Sequence, residues 1–164
     1  MSKKDIIERM GLEPHPEGGF YKETYRCSEQ ASIGEGKATR NLSTSIYFLL
    51  GRDDVSKLHS IRSDEIWYHH EGDPVEIIDI DESGHTRFRV CGAVSDGYEP
   101  QIVVPKGNLF GARLLGGTSA GYGLVSCSVA PGFDFEDFDM PALSQIEKKY
   151  SNVDPSWQDF IKKD

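Results

Sequence analysis

Cysteine is scarce in this chain: Cys27, Cys91 and Cys127 are the only three in 164 residues. Their number is odd and no two stand in CxxC spacing, which excludes a disulfide framework and reads as buried thiols in a reducing compartment. Long apolar runs are missing as well. The longest, IYFLL from Ile46 to Leu50, is far too short to cross a bilayer, and the opening MSKKDIIERMGL has no uninterrupted apolar stretch of signal-peptide length. Positive charge is also in short supply. Eighteen Lys and Arg against 27 Asp and Glu leave a formal charge of −9 and a pI near 5.0, a field that repels nucleic-acid backbone and anionic membrane. No Lys/Arg cluster suited to a diphosphate exists; Lys22, Arg26, Arg62 and Arg113 are scattered. The expectation is a cytoplasmic protein with neither nucleic acid nor membrane as partner.

Helical periodicity is confined to the ends. Ile6, Ile7 and Met10 fall on one side of a short helix that Gly11 stops, while Pro141 to Tyr150 and the segment opened by Asp154-Pro155 read as helices near the carboxyl end. Between them, short alternating or β-branched runs recur between Gly, Pro, Asp and Ser. Strands are expected at Phe20 to Arg26, Thr44 to Leu50, Ser56 to His59, Glu65 to His70, Val75 to Ile80, Thr86 to Cys91, Gln101 to Val104, Phe110 to Leu114 and Gly123 to Val129. So many strands without intervening helix predict an all-β sandwich or barrel in a single domain, residues 1–164. Asp81-Glu82-Ser83-Gly84 is a hairpin turn between two of them.

Two segments carry the chemistry. LHSIRSDEIWYHHEG places His59, Ile61, Glu65 and Gly72 at fixed intervals, and VPKGNLF follows with Pro105, Gly107 and Phe110. This spacing resembles the paired motifs of the cupin superfamily, in which His-x-His, Glu and a later His hold one metal inside a small barrel. Three further blocks, LEPHPEGGFYKETYR from Leu12, STSIYFLL from Ser43 and VAPGFDFEDFDM from Val129, are similar to a family of small single-domain cupins of uncharacterised function. The resemblance implies an antiparallel double-stranded β-helix (a jelly-roll barrel), similar to sugar-nucleotide 3,5-epimerases, with short terminal helices. It also implies a homodimer, in which the Phe20 to Arg26 strand would pair with a partner sheet. It implies no particular reaction.

Against that template Ile61 and Phe110 replace two metal ligands, and neither side chain has a lone pair to donate. The expected pocket therefore needs no tightly held metal and no cofactor. If a divalent metal is bound after all, His59, Glu65 and His69 would be its ligands. With Glu65 inward, strand alternation puts Trp67 and His69 on its face and Ile66, Tyr68 and His70 on the other, unless a bulge brings Tyr68 or His70 in.

Function is thus read as a small-molecule pocket. One version is an isomerase- or epimerase-like enzyme acting on a carbohydrate-like metabolite, with His59 as acid/base, Glu65 orienting it, and Tyr47, Tyr68 or His69 as a second proton donor. The alternatives are a non-catalytic binding module at the barrel mouth, lined by Trp67, Gln101 and Phe110, or a metal-dependent enzyme. Tyr47, Tyr68 and His70 are included among the ligand contacts. His15, in the turn PHPEGG, is expected to order a loop, and His85 to sit at a solvated hairpin tip. Cys127 is expected to be a buried thiol without nucleophilic role. Phe133, Phe135 and Phe138 are expected to pack on the barrel while the intervening carboxylates stay wet.

Overall fold

The computed structural model describes residues 1–34, 38–116 and 119–162. It opens on helix α1, Lys3–Met10. Ser2 and Asp5 close a capping box at its start, each side chain accepting the other's backbone N–H, and Gly11 ends it in the left-handed conformation at φ 63°. The strands follow: β1 Glu13–Pro14, β2 Phe20–Arg26, β3 Gln30–Ile33, β4 Ala38–Asn41, β5 Thr44–Gly51, β6 Val55–His59, β7 Asp64–Gly72, β8 Val75–Ile80, β9 Thr86–Cys91, β10 Gln101–Val104, β11 Leu109–Leu114 and β12 Tyr122–Ala130. Helix α2, Leu143–Lys149, and a 3-10 helix at Pro155–Phe160 complete the chain.

Nine of these strands stand where alternation placed them. The other three were not anticipated: β1 contains a proline, and β3 with β4 forms a separate, mostly polar hairpin. A six-stranded sheet, in the order β1-β2-β5-β12-β7-β10, faces a four-stranded sheet in the order β6-β11-β8-β9, and every pairing is antiparallel. This is the expected jelly-roll barrel. Val125, Cys127 and Val129 of β12 point into it and meet Phe48, Trp67, Ile77 and Ile102, whereas Leu124 and Tyr122 point outward. A buried aliphatic or aromatic side chain of this kind is worth about 1.5–3 kcal/mol, so the alternation itself selects the fold.

The outer faces are covered unevenly. Ile6 of α1, with Leu12 just beyond it, packs on Leu49, Tyr122 and Leu124 at one end of the large sheet. Ile146, Tyr150, Trp157 and Phe160 close the outer face of the small sheet over Leu58, Ile78 and Ile80, and the Trp157 indole N–H donates to Thr86 Oγ1 at 2.8 Å. The hairpin turn after β8 is held by Asp81, whose carboxylate accepts the N–H groups of Ser83 and His85, with Gly84 at φ 85°.

Candidate functional site

One end of the barrel is hollow, with a cavity of about 430 Å³, within the range of small-molecule sites. Its walls are the inward side chains of neighbouring strands: Ile46 and Phe48 from β5, Glu65 and Trp67 from β7, Cys127 and Val129 from β12. Register explains the grouping, since Trp67 stands opposite Cys127 and Glu65 opposite Val129.

The floor is supplied by the segment between β1 and β2. His15 N–H donates to the Gly19 carbonyl and Gly18 N–H to the His15 carbonyl, which folds His15–Gly19 into a tight turn. Gly18 sits at φ 112° with its Cα against β6, where a Cβ would lie 2.1 Å from the Val55 carbonyl oxygen; no other residue fits. This close approach drives Glu17 inside the barrel. Its backbone carbonyl accepts Lys57 N–H at 2.8 Å, and its carboxylate accepts Ser56 Oγ–H at 2.9 Å and lies 3.0 Å from His59 Nε2.

The hydrogen bonds settle the protonation of this cluster. His59 Nδ1 is 2.7 Å from the Lys57 carbonyl, which only accepts, while Nε2 faces the Glu17 carboxylate. Both nitrogens therefore favour a proton. Burial pulls the His59 pKa down, but the Glu17 charge and hydrogen bond, the Glu65 charge and the Lys57 carbonyl outweigh it and raise the value. For Glu17 burial pushes upward, and the His59 charge and hydrogen bond, with His15 and Ser56, hold it below the ordinary range. The result is a buried imidazolium–carboxylate pair. His15 behaves oppositely. Its Nδ1 accepts the Glu17 backbone N–H at 3.2 Å, and burial, joined by the His59 charge, depresses its pKa despite the Glu17 carboxylate.

Glu65 stands apart from that pair. Burial raises its carboxyl to about 7, the His59 charge opposes this, and the Glu17 charge adds to it. The Cys127 thiol and Trp67 indole N–H favour its ionised form only weakly, and Trp67 Nε1 has no hydrogen-bond partner within normal geometry among the described residues. Cys127 itself is pushed well above the ordinary thiol range, by burial first and then by Glu65, so it is not a nucleophile.

A run of phenylalanines roofs the cavity. Phe133, Phe135 and Phe138 all line it, and the segment is clamped by Arg40 of β4, whose guanidinium donates to both Asp137 carboxylate oxygens at 2.7 and 3.0 Å. The acidic run is thus only partly wet as expected: Glu136 is exposed, but Asp137 is half-buried against Arg40.

The predicted site residues divide sharply. His59, Glu65 and Trp67 come together around the cavity as expected, although Glu17 and not Glu65 is the group bonded to His59. Phe110 is buried and packs its ring 4.1 Å from that of His59, supporting the imidazole without lining the cavity. His69 does share the inward face. It stands about 7 Å along the strand beyond Trp67 and about 13 Å beyond Glu65, however, and its Nε2 lies 3.3 Å from the Asp73 carbonyl, outside the cavity walls. Tyr47, Tyr68, His70 and Gln101 are on the other side of the large sheet: Tyr47 and Tyr68 oppose Ser126, His70 bonds Ser126 Oγ, and Gln101 opposes Tyr68. A bulge does interrupt β7 against β12, but between the pairings of Glu71 and His69, too late to turn Tyr68 inward.

The set His59, Glu65 and His69 therefore does not converge. Among the described residues no group of three or more His, Cys, Asp or Glu side chains is arranged to hold a metal ion, and Ile61 and Phe110 add no donor. Glu17 escaped the sequence reading, and His15 and the three phenylalanines were expected to order a loop and to pack on the barrel, not to line the pocket. The Gly18-Gly19 pair after Glu17 was the available signal, because consecutive glycines mark a backbone that must approach something closely.

Comparison with known proteins agrees with this architecture. A family model described as Cupin superfamily (DUF985) matches residues 4–141. The uncharacterized protein YML079W of Saccharomyces cerevisiae is 33% identical over 147 residues, covering 83% of this chain and 73% of that one. A hypothetical protein from Leishmania major superposes with a TM-score of 0.92 at 33% identity, covering 99% of this chain and 100% of the other. Protein SO0799 from Shewanella oneidensis does so at 0.87 and 34% identity, with 100% and 99% covered. With the motif spacing, the jelly-roll barrel and these likenesses in agreement, the chain belongs to the DUF985 family of the cupin superfamily.

Proposed function

We propose that the cavity is the active site of an isomerase- or epimerase-like enzyme that moves a proton on a small carbohydrate-like metabolite. The observation that carries this reading is Glu65: a carboxyl facing an enclosed cavity, with a pKa near 7, suits both taking and returning a proton at neutral pH. Glu65 as carboxylate removes the proton from a carbon next to the substrate carbonyl, and the electron pair moves onto the carbonyl oxygen as an enolate. The unpartnered Trp67 N–H is the donor available to that oxygen, and the nearby imidazolium of His59 lowers the cost of its negative charge. Glu65, now protonated, returns the proton to the same or the neighbouring carbon. In this reading His59 is a fixed charge more than a base, since both its nitrogens are engaged. The alternative, a non-catalytic binding module, draws on the aromatic walls.

Proton NMR in D2O with a panel of uncharged aldoses and ketoses tests the proposal. Exchange at the carbon beside the carbonyl should be catalysed, should rise with pH through about 7, and should fall about 10²-fold or more in Glu65→Gln. Saturable binding with no exchange would replace the enzyme with the binding module.

A homodimer belongs to the same proposal. Beyond Tyr21 the second edge of β2 has no partner strand among the described residues, and the outer face of the large sheet carries exposed Tyr25 and Val103. Sedimentation of the full chain at micromolar concentration should give a dimer; a monomer refutes it.

A further inference from the structure

Buried carboxylates elsewhere in this protein have their charge answered. Asp79 is met by Arg87 at 2.8 Å, Arg89 at 3.3 Å and Asn108 at 2.7 Å; Asp73 by the N–H groups of Ala120 and Gly121; Glu17 by His59 and Ser56. Glu65, 8% exposed, forms no ion pair among the described residues. It faces the cavity beside a thiol and an unpartnered indole N–H, and the nearby His59 is bonded to Glu17 instead.

The rest of the charged lining is mostly of the same sign, and its cations, His59 and Arg26, are each paired with a carboxylate already. Glu13, Glu23 and Asp134 also line the cavity, and Arg26 is the only Lys or Arg that does among the described residues. Its charge is already taken: Nε and Nη2 donate to the two Glu23 carboxylate oxygens at 2.9 and 2.7 Å, and Nη1 donates to Asn41 Oδ1 at 2.9 Å. Around these groups stand six rings, Tyr21, Phe48, Trp67, Phe133, Phe135 and Phe138. They meet nearly edge to face, Phe48 on Trp67 at 84° and 5.7 Å, Phe133 on Phe135 at 80° and 5.0 Å, so ring faces are offered from several directions.

We propose that the ligand is a small hydroxylated cation, an amino-sugar or amino-alcohol whose ammonium is held between these aromatic faces and Glu65. The inference rests on the cavity being the functional site, as above, and narrows its substrate class. Ring faces attract cations through their quadrupole, and a buried carboxylate with no ion-pair contact of its own supplies the complementary ion. A hydroxyl or carbonyl oxygen on the ligand would accept the Trp67 N–H. An anion would face unpaired carboxylates at low dielectric, and a neutral ligand would leave Glu65 unanswered.

Binding such a cation must favour ionised Glu65 and release its proton below about pH 7. The groups that face Glu65 are Cys127 from β12, Trp67 from its own strand, His59 from β6 and Glu17 from the inserted turn. Of these only His59 can lose charge as pH rises, which would favour a cation further.

Choline, its uncharged isostere 3,3-dimethylbutan-1-ol and the anion 3,3-dimethylbutanoate form a matched test, measured by calorimetry on the full chain. Choline should bind about tenfold or more tightly than the alcohol, more strongly at pH 8 than at pH 6 and with proton release at the lower pH; the butanoate should not bind. Glu65→Gln should erase the preference for choline. Phe135→Leu, at a half-exposed ring whose loss does not threaten folding, should weaken choline more than the alcohol. An alcohol that binds as well as choline, or no choline binding at millimolar concentration, overturns the proposal. Proton exchange on neutral sugars without a choline preference sinks this inference alone, while a choline preference without any exchange sinks only the proton-transfer reading.

Discussion

Replacing Glu17 by alanine should cost the protein about 3–5 kcal/mol of stability, the range for removing one member of a buried ion pair. The side chain is 7% exposed and answers His59 Nε2 at 3.0 Å and the Ser56 hydroxyl at 2.9 Å. Without it the imidazolium has no counter-ion on that side, so His59 should turn neutral near pH 7 and its ring resonances should move accordingly. Urea denaturation followed by tryptophan fluorescence reads the stability, and NMR titration of the His59 ring reads the charge. A loss below about 1 kcal/mol, the level of an exposed pair, would mean that solvent reaches the site and that the pair is not the structural floor of the cavity. Replacing both partners with apolar residues of similar volume should cost less than the single change, because no orphaned charge remains.

Glu65→Gln should act on stability in the opposite direction and only at higher pH. The folded carboxyl titrates near 7 against an ordinary 4.5, so the folded state holds a proton that the unfolded state has already released. A raised folded pKa contributes stability that is complete below 4.5 and is lost as pH climbs to about 7. At about 1.4 kcal/mol per pH unit, the interval amounts to about 3 kcal/mol. Glutamine, isosteric and neutral, does not pay that penalty. The variant should therefore match the parent near pH 5 and exceed it by about 2–3 kcal/mol at pH 8. The raised pKa of His59 works in the same sense, its contribution fading as pH rises past its folded value, whereas the lowered pKa of Glu17 makes its contribution fade only in acid. Stability should thus peak at mildly acidic pH. Thermal melts of both proteins between pH 4.5 and pH 8 check this; parallel curves would show that Glu65 is not buried as a charge.

How much of this was legible depended on range along the chain. Strands β2 and β5 to β12 were visible because a side chain's inward or outward direction is set by its neighbours two residues away. The α1 cap and the Asp81 turn are equally local, which is why Gly11 and Gly84 could be assigned. Alternation also placed Glu65, Trp67 and His69 on one face, and the structure bears that out. It could not say how far along the barrel each residue lies from the cavity, so His69, two residues or about 7 Å beyond the last lining residue of its strand, was grouped with the site. Tyr68 and His70 were offered as contacts on the strength of a possible bulge, and Tyr47 and Gln101 on residue type.

What the amino-acid sequence determined by itself, then, is the β-rich barrel and its inward stripes, properties of local periodicity, and, through the resemblance to the cupin motifs, that Ile61 and Phe110 offer no donor at two of the family's ligand positions. Only the tertiary structure decided who answers His59. Glu17 lies 42 positions earlier in the chain, on a turn with no periodic signal, and it reaches the imidazole because Gly18 lets the backbone press against the Val55 carbonyl. The near-neutral pKa of Glu65 has the same origin: the carboxyl's type is written in the chain, but its desolvation and the charges around it arise only when β6, β7, β12 and the Glu17 turn close on one another, because dielectric and Coulomb terms depend on distance in space.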